Sequence, residues 1–327
     1  NAYSGGNTVT NGILKAGVAA GGVTAPYFGT GRVTVMSGAA LDVQGNSLSN
    51  AITINGTGVN NGGALTNSTT GTSNATLSGL LTLGSDSAIV NNASGNSAIN
   101  LTNSGTITGS GFALSLGGSR GGTINSIIGT GSGSITKAGA GTWTLSGANT
   151  YTGETNINAG TLTITNAAGL GSTTGGTTVA YGSTLALNFS TSPTTVSENV
   201  RLSGPGVYST SYAGAMAATG TAAVVNYAGT MTLDGTSLVM GSSTTSRALN
   251  ITNTIQGNGY DFAKKNTVNL TGGLGGAGSV MANYAFVRPT SITSSYGDTP
   301  SVSYGFYTTS MGATSFTASA TGTAVYI

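Results

Sequence analysis

The chain has 327 residues, of which only 5% are charged, with a formal net charge of +2, 56 glycines, no cysteine and no histidine. An ordinary globular chain carries roughly 25% charged residues, so solubility here rests on the hydroxyls and amides of Ser, Thr and Asn, and a nucleic-acid partner is not indicated. The missing Cys and His exclude disulfides, thiolate metal sites, cysteine nucleophiles and every triad or metal cluster built on those side chains, and no cofactor is implied.

Hydrophobic residues still make up 38% of the chain and recur as short alternating runs of Val, Ile and Leu. That is enough apolar surface to offset chain entropy if strands stack, so order is expected rather than disorder. No window keeps the i, i+3, i+4 pattern of a helix without glycine or β-branched interruption. No apolar run approaches the roughly 20 residues of a membrane-spanning helix, and no signal-peptide pattern is present.

In chain order, alternation predicts strands over 7–14, 32–36, 51–54, 77–83, 98–102, 106–108, 112–116, 123–128 and 134–137, separated by turn residues. Residues 1–17 then recur at 149–165 without a gap, matching Asn1 with Asn149, Tyr3 with Tyr151, Gly5 with Gly153, Gly12 with Gly160 and Leu14 with Leu162. The correspondence persists: 35–43 returns at 179–187, 51–58 at 199–206, and the hexapeptide starting at Ala98 returns at Ala248. Low complexity alone would not hold one diagonal for so long, so the chain reads as two tandem copies of ~148 residues. Short strands at this spacing suit a sandwich, a barrel or a solenoid, and tandem repetition with few charged hairpin loops favours the solenoid. At ~22 residues per turn and ~4.8 Å of rise, the two copies would form a rod of about 60 Å.

The seam between the copies carries the most specific pattern. Trp143 and Leu145 alternate with Thr142, Thr144 and Ser146, and Leu162 and Ile164 alternate with Thr161, Thr163 and Thr165. Each run is a strand with one dry and one wet face. Residues 147–153 and Gly160 supply corners. The string ITKAGAGTWTLSGANTYTGETNINAGTL, from Ile135 to Leu162, resembles the passenger-associated repeat of bacterial autotransporters and related giant surface adhesins. That resemblance implies a right-handed parallel β-helix exported from the cell. The Asn-Ser-Gly-Thr-Ile string at 103–107 likewise resembles a β-helix rung of adhesins.

The expected architecture is therefore all-β: solenoid copies at 1–148 and 149–287 and a short β-rich terminal or partial module at 288–327. Where the seam pattern should recur after Val280, the chain reads Met281-Ala282-Asn283-Tyr284 instead. The later pattern of Pro289, Tyr296, Pro300 and Tyr304 resembles the small β-rich module that follows β-helices in haemagglutinin-type adhesins. Tyr284, Tyr296, Tyr304, Phe306 and Tyr307 are candidates for a contact surface or for the core of that module.

For chemistry, the carboxylates are Asp42, Asp86, Glu154, Glu198, Asp234, Asp261 and Asp298. A polysaccharide-degrading β-helix would need two of them together. Only Asp234 and Asp261 fall one turn apart, with no basic or aromatic platform nearby. The glycines around Gly272 lack the aspartate of a calcium-binding repeat. Lys264 and Lys265 read as a solvated loop, Trp143 as core rather than a sugar platform, and the Asn60-Asn61 and Asn91-Asn92 pairs as turns rather than amide ladders. No catalytic, cofactor-binding or metal-binding residue is assigned.

The function expected is a non-catalytic structural or adhesive rod of a secreted surface protein, located outside the cell or on the bacterial surface. Its partners would be glycans or the surfaces of host or neighbouring cells. The alternating strand at 321–327 and the opening of the chain inside a repeat admit two readings: self-association end to end by strand addition, giving a filament, or a piece of a longer chain. A β-helix polysaccharide-degrading enzyme is the alternative function.

Overall fold

The structure, a computed structural model, describes residues 3–17, 27–208, 213–241 and 247–272, with short strand segments at 274–275, 280–282, 284–286 and 306–308. Short polar corners let the chain turn after every few residues, so the strands are brief. Two longer ones, Leu81–Asn91 and Met231–Met240, bend across a corner. A single 3-10 turn, Val59–Asn61, is the one helical element among the described residues.

The strands stack in parallel as three ladders. The first face runs from Asn7–Val9 through Val33–Val35 and Ile52–Gly56 to Thr106–Thr108 and Ile127–Gly129. The second begins at Gly12–Lys15 and continues through Ala39–Asp42, Leu114–Gly117, Ile135–Lys137, Thr155–Ile157, Thr177–Val179 and Val200–Gly204. The third climbs from Ser47–Leu48 through Ile99–Leu101, Thr142–Leu145, Gly160–Ile164 and Ser183–Leu187 to Val280–Ala282. In the upper turns a separate ladder of Thr194–Val196, Val224–Tyr227, Ala248–Ile251 and Val268–Leu270 takes the first-face position in chain order. This is the parallel β-solenoid expected. Its turns are less regular than an even ~22-residue spacing, from 18 residues between Phe262 and Val280 to 33 between Gly204 and Ser237. Corners absorb insertions, while the ladder fixes only the strands.

The core is a set of columns along the axis. Ile99, Gly122, Trp143, Leu162, Leu185, Met216 and Val239 stand in register on the third face. Two residues along the same strands, Leu77, Leu101, Ile124, Leu145, Ile164 and Leu187 form a second column. Each buried Leu or Ile contributes roughly 1.5–3 kcal/mol by leaving water, against the entropy of ordering its turn. Trp143 and Leu145 are fully buried. The indole sits above Gly122, which offers no side chain, and its Nε1 donates to the Gly117 carbonyl at 3.1 Å.

The two copies share detailed backbone features. Both have the long bent strand, and in both the strand of the turn below shifts register against it, between Ile54 and Gly56 and between Leu202 and Gly204. Both carry an arch closed by a backbone bond, Gly63 N to Thr57 O at 2.8 Å and Gly214 N to Pro205 O at 2.9 Å. Yet the copies are rotated by one face. Asn7–Val9 lies on the first ladder, whereas its counterpart Thr155–Ile157 stacks on Ile135–Lys137 in the second. Ala39–Asp42 is on the second ladder and its counterpart Ser183–Leu187 on the third.

Several expected strands change form. Expected strand 7–14 divides into Asn7–Val9 and Gly12–Lys15, with Gly12 at φ 70 turning the corner. Expected strand 77–83 divides at Gly79, and 123–128 becomes Gly122–Ile124 and Ile127–Gly129 on different faces. Alternation continues straight through so short a corner, which is why the sequence pattern merges the pieces. Beyond Val280–Ala282 the pairing changes: Tyr284–Phe286 pairs antiparallel with Phe306–Thr308. The contact surface expected from Tyr296 and Tyr304, and the strand at 321–327, lie outside the described residues, as does Asp298.

Candidate functional site

The chain has few charged side chains. Asp42, 1% exposed, accepts from the Ser68 hydroxyl at 2.6 Å and the Ser68 amide at 3.1 Å, and binds Gln44. It braces a corner. Asp86 accepts from the Ala113 amide at 2.9 Å. Asp234 is held by both arms of Arg201, Nε to Oδ2 at 2.8 Å and Nη2 to Oδ1 at 2.6 Å. The carboxylate that the one-turn spacing paired with Asp261 is therefore neutralised by a guanidinium in the turn below it. The main chain of Asp261 meanwhile accepts from the Ser237 amide at 3.0 Å, as part of the ladder.

Glu198 is the exception. Although charged by type, it is 3% exposed, and its Oε1 accepts from the Thr177 hydroxyl at 3.2 Å. Around it lie two fully buried tyrosines. Tyr227 donates its hydroxyl to the Glu198 main-chain oxygen, and Tyr151 shares a hydrogen bond of 2.7 Å with Thr155. Thr155 and Thr177 are paired in register, so the cluster runs along the axis over successive turns. Burial pushes the Glu198 carboxyl up to about 7, opposed in part by the Thr177 hydrogen bond. Burial also raises both tyrosines, Tyr227 well above the ordinary phenol range, and the Glu198 charge adds to each shift.

A raised carboxyl beside an ionised one is the pattern of a glycosidase, and Glu154 is a candidate for the second role. Its Oε1 accepts from Thr178 at 3.3 Å, one residue along from the threonine that binds Glu198. Successive strand residues point to opposite faces. Thr177 is buried and Thr178 is not, and Glu154 is exposed, so the sheet stands between the two carboxylates. They do not share a cleft.

Lys137, inside the seam motif, is also fully buried. Its Nζ donates to the carbonyls of Ala138 at 3.0 Å, Gly139 at 2.8 Å and Ala159 at 2.9 Å, and burial lowers its pKa to about 8. It ties two turns together at the seam. Lys264 and Lys265, expected in a solvated loop, lie instead in the strand Phe262–Lys265, with Lys264 Nζ donating to Val268 O at 2.9 Å. Position 265 in the ladder, above Met240, overrides the local charge. Asn60 and Asn61 sit in a left-handed turn. Asn91, in contrast, is buried in register with Asn67, and an amide ladder forms where none was singled out: Asn250 Nδ2 donates to Asn226 and Asn269 Nδ2 to Asn250, each at 2.9 Å.

Among the described residues the outer surface carries shallow grooves. One, of about 510 Å3, is floored by Ala88, Val90, Ser115 and Ala138 beside the arch at Thr57 and Asn61. Another, of about 370 Å3, is lined by Glu154, Thr174, Thr178, Arg201 and Thr232. Tyr181, Tyr208 and Tyr260 stand exposed at corners of the second copy. No group of three or more acidic side chains that could hold a metal ion occurs among the described residues.

The fold and these side chains define a parallel β-solenoid whose scarce charges are spent mainly on bracing its own turns. Residues 1–16 and 135–164 match the Passenger-associated-transport-repeat, a repeat family of autotransporter passengers. The two matches meet the structure at equivalent points, since 1–16 is the counterpart of 149–164. No curated protein and no solved structure matches the chain.

Proposed function

We propose that this chain is a solenoid stretch of an exported bacterial surface protein, acting as a non-catalytic rod that displays a polar surface for adhesion or builds an extracellular filament. The observation that carries the reading is the parallel ladder that crosses the seam between the copies, with Trp143 and Leu145 buried across it and the passenger repeat on both sides. A solenoid of this kind gives length from local contacts and keeps its backbone paired along the axis. The polar groove of Glu154, Thr178, Arg201 and Thr232 and the exposed tyrosines present hydroxyls, amides and aromatic faces, the groups that recognise sugars.

The test is binding of the purified chain to a glycan array and to intact bacterial and host cells, beside a polysaccharide-cleavage assay. Binding that weakens when Arg201 or Tyr181 is replaced by Ala supports the adhesive role. Polysaccharide cleavage abolished by Asp234→Asn would overturn the non-catalytic reading.

A further inference from the structure

We propose that Tyr151, Thr155, Thr177, Glu198 and Tyr227 form a proton-operated lock on the second copy: with Glu198 neutral the turns at this corner are held closed, and with Glu198 ionised they open locally. This goes beyond the rod function and does not depend on any ligand.

The first copy lacks the device. The counterpart of Glu198 is Asn50, and the backbone there is the same. A Cβ on Gly79 would stand 1.8 Å from the Asn50 carbonyl oxygen, and a Cβ on Gly229 would stand 1.7 Å from that of Glu198. Asn50 is 5% exposed and its Nδ2 donates to Gly29 O at 3.0 Å and Gly31 O at 2.8 Å, so a neutral donor ties that corner to the turn below. An ionised carboxylate has no proton to donate, and only the protonated acid can do so. Replacing a neutral amide by a titratable group at an equally buried point makes this corner of one copy sensitive to protons and leaves the other indifferent.

Apart from the Thr177 hydroxyl, which donates to Oε1 and favours the charged form, the surroundings reinforce the neutral form. Two phenols face Glu198, Tyr151 from the turn preceding Thr155–Ile157 and Tyr227 from Val224–Tyr227, and neither supplies positive charge. Lys137, on the same ladder, has Ile157 as its register partner and its ammonium is occupied by three carbonyls. Glu154 and Arg201 are exposed on the outer side of the sheet, where Arg201 is engaged by Asp234. A negative charge on Glu198 would therefore be buried without a counter-ion, which is costly.

The sign follows from linkage. The carboxyl moves from its ordinary 4.5 to about 7 on folding, so the folded state holds the proton more tightly than the unfolded chain. Stability from this group is fully present below about pH 4.5 and is lost as the pH rises towards and through 7.

The experiment is hydrogen exchange of the full chain, comparing wild type with Glu198→Gln at pH 5 and at pH 8, so that the intrinsic effect of pH on exchange cancels within each pH. Peptides over 149–165 and 194–230 of the wild type should exchange about 10-fold faster than those of the variant at pH 8 and within about twofold at pH 5, a span set by the tenfold-per-pKa-unit arithmetic. Peptides over 39–67 should show no such difference. If Glu198→Gln does not fold, Glu198→Asn, the residue the first copy uses, takes its place. A wild-type-to-variant ratio that is the same at both pH values overturns the proposal, as does an equal response in 39–67.

Discussion

The first and second copies follow one backbone plan with different polar cores. Where the first has Leu77, the second has Tyr227, and where the first has Asn50, the second has Glu198. Tyr3 is half exposed and donates to Asn7 Oδ1 at 2.7 Å, while its counterpart Tyr151 is buried and bonded to Thr155. The corners, the arch and the long bent strand persist through these exchanges. The lesson is that the ladder and its tight corners fix the turn, and the interior position at a corner is then free to carry either an aliphatic column or a polar cluster, provided each buried polar group finds a partner.

The most severe break of the comparison is at the seam that joins the copies. Trp143→Ala removes a fully buried indole from the column between Gly122 and Leu162 and should cost about 3–5 kcal/mol in urea unfolding. Because the ladder is continuous there, probes in both copies should lose stability. A loss confined to one copy would show that the halves are independent.

Next in size is an exchange of the copies' polar chemistry. Asn50→Glu places a carboxyl against the Gly29 and Gly31 carbonyls and should destabilise the first copy by roughly 3 kcal/mol at pH 8. The loss should shrink towards pH 5 as the carboxyl gains its proton, the direction worked out for Glu198. Urea midpoints across that range measure it, and a pH-independent loss would mean that burial at this corner does not control ionisation.

A smaller effect sharpens the equivalence itself. Gly79→Ala and Gly229→Ala each press a Cβ against a backbone carbonyl and should cost about 1–3 kcal/mol apiece. Similar costs would confirm that the two corners are one structural solution, and a large disparity in thermal unfolding would separate them. The smallest effect belongs to the outer face, where Arg201→Ala should change stability by about 0–1 kcal/mol, because the Asp234 pair is partly exposed and screened. Its signature would be in glycan binding rather than in unfolding.

Much of this was legible in the chain. The alternation of Trp143 with Leu145 and of Leu162 with Ile164 identified buried columns, because period-two patterning is read directly from side-chain type. Glu198 was not legible: it lies in Val196-Ser197-Glu198-Asn199-Val200, which locally reads as a wet corner between two strands. Lys137 was hidden in the same way, since three carbonyls from two turns satisfy it and nothing adjacent in sequence shows them.

The sequence by itself determined the strand chemistry and the buried runs at 142–145 and 160–164, since those depend on residues close together in the chain. Only the tertiary structure decided that the second copy is turned by one face, because that depends on how many faces the first copy uses before the repeat restarts. It alone decided which corner residues point inward. Stacking brings Thr155, Thr177 and Glu198 together from separate turns, and the burial created there, rather than the identity of any one residue, gives the carboxyl its altered proton affinity.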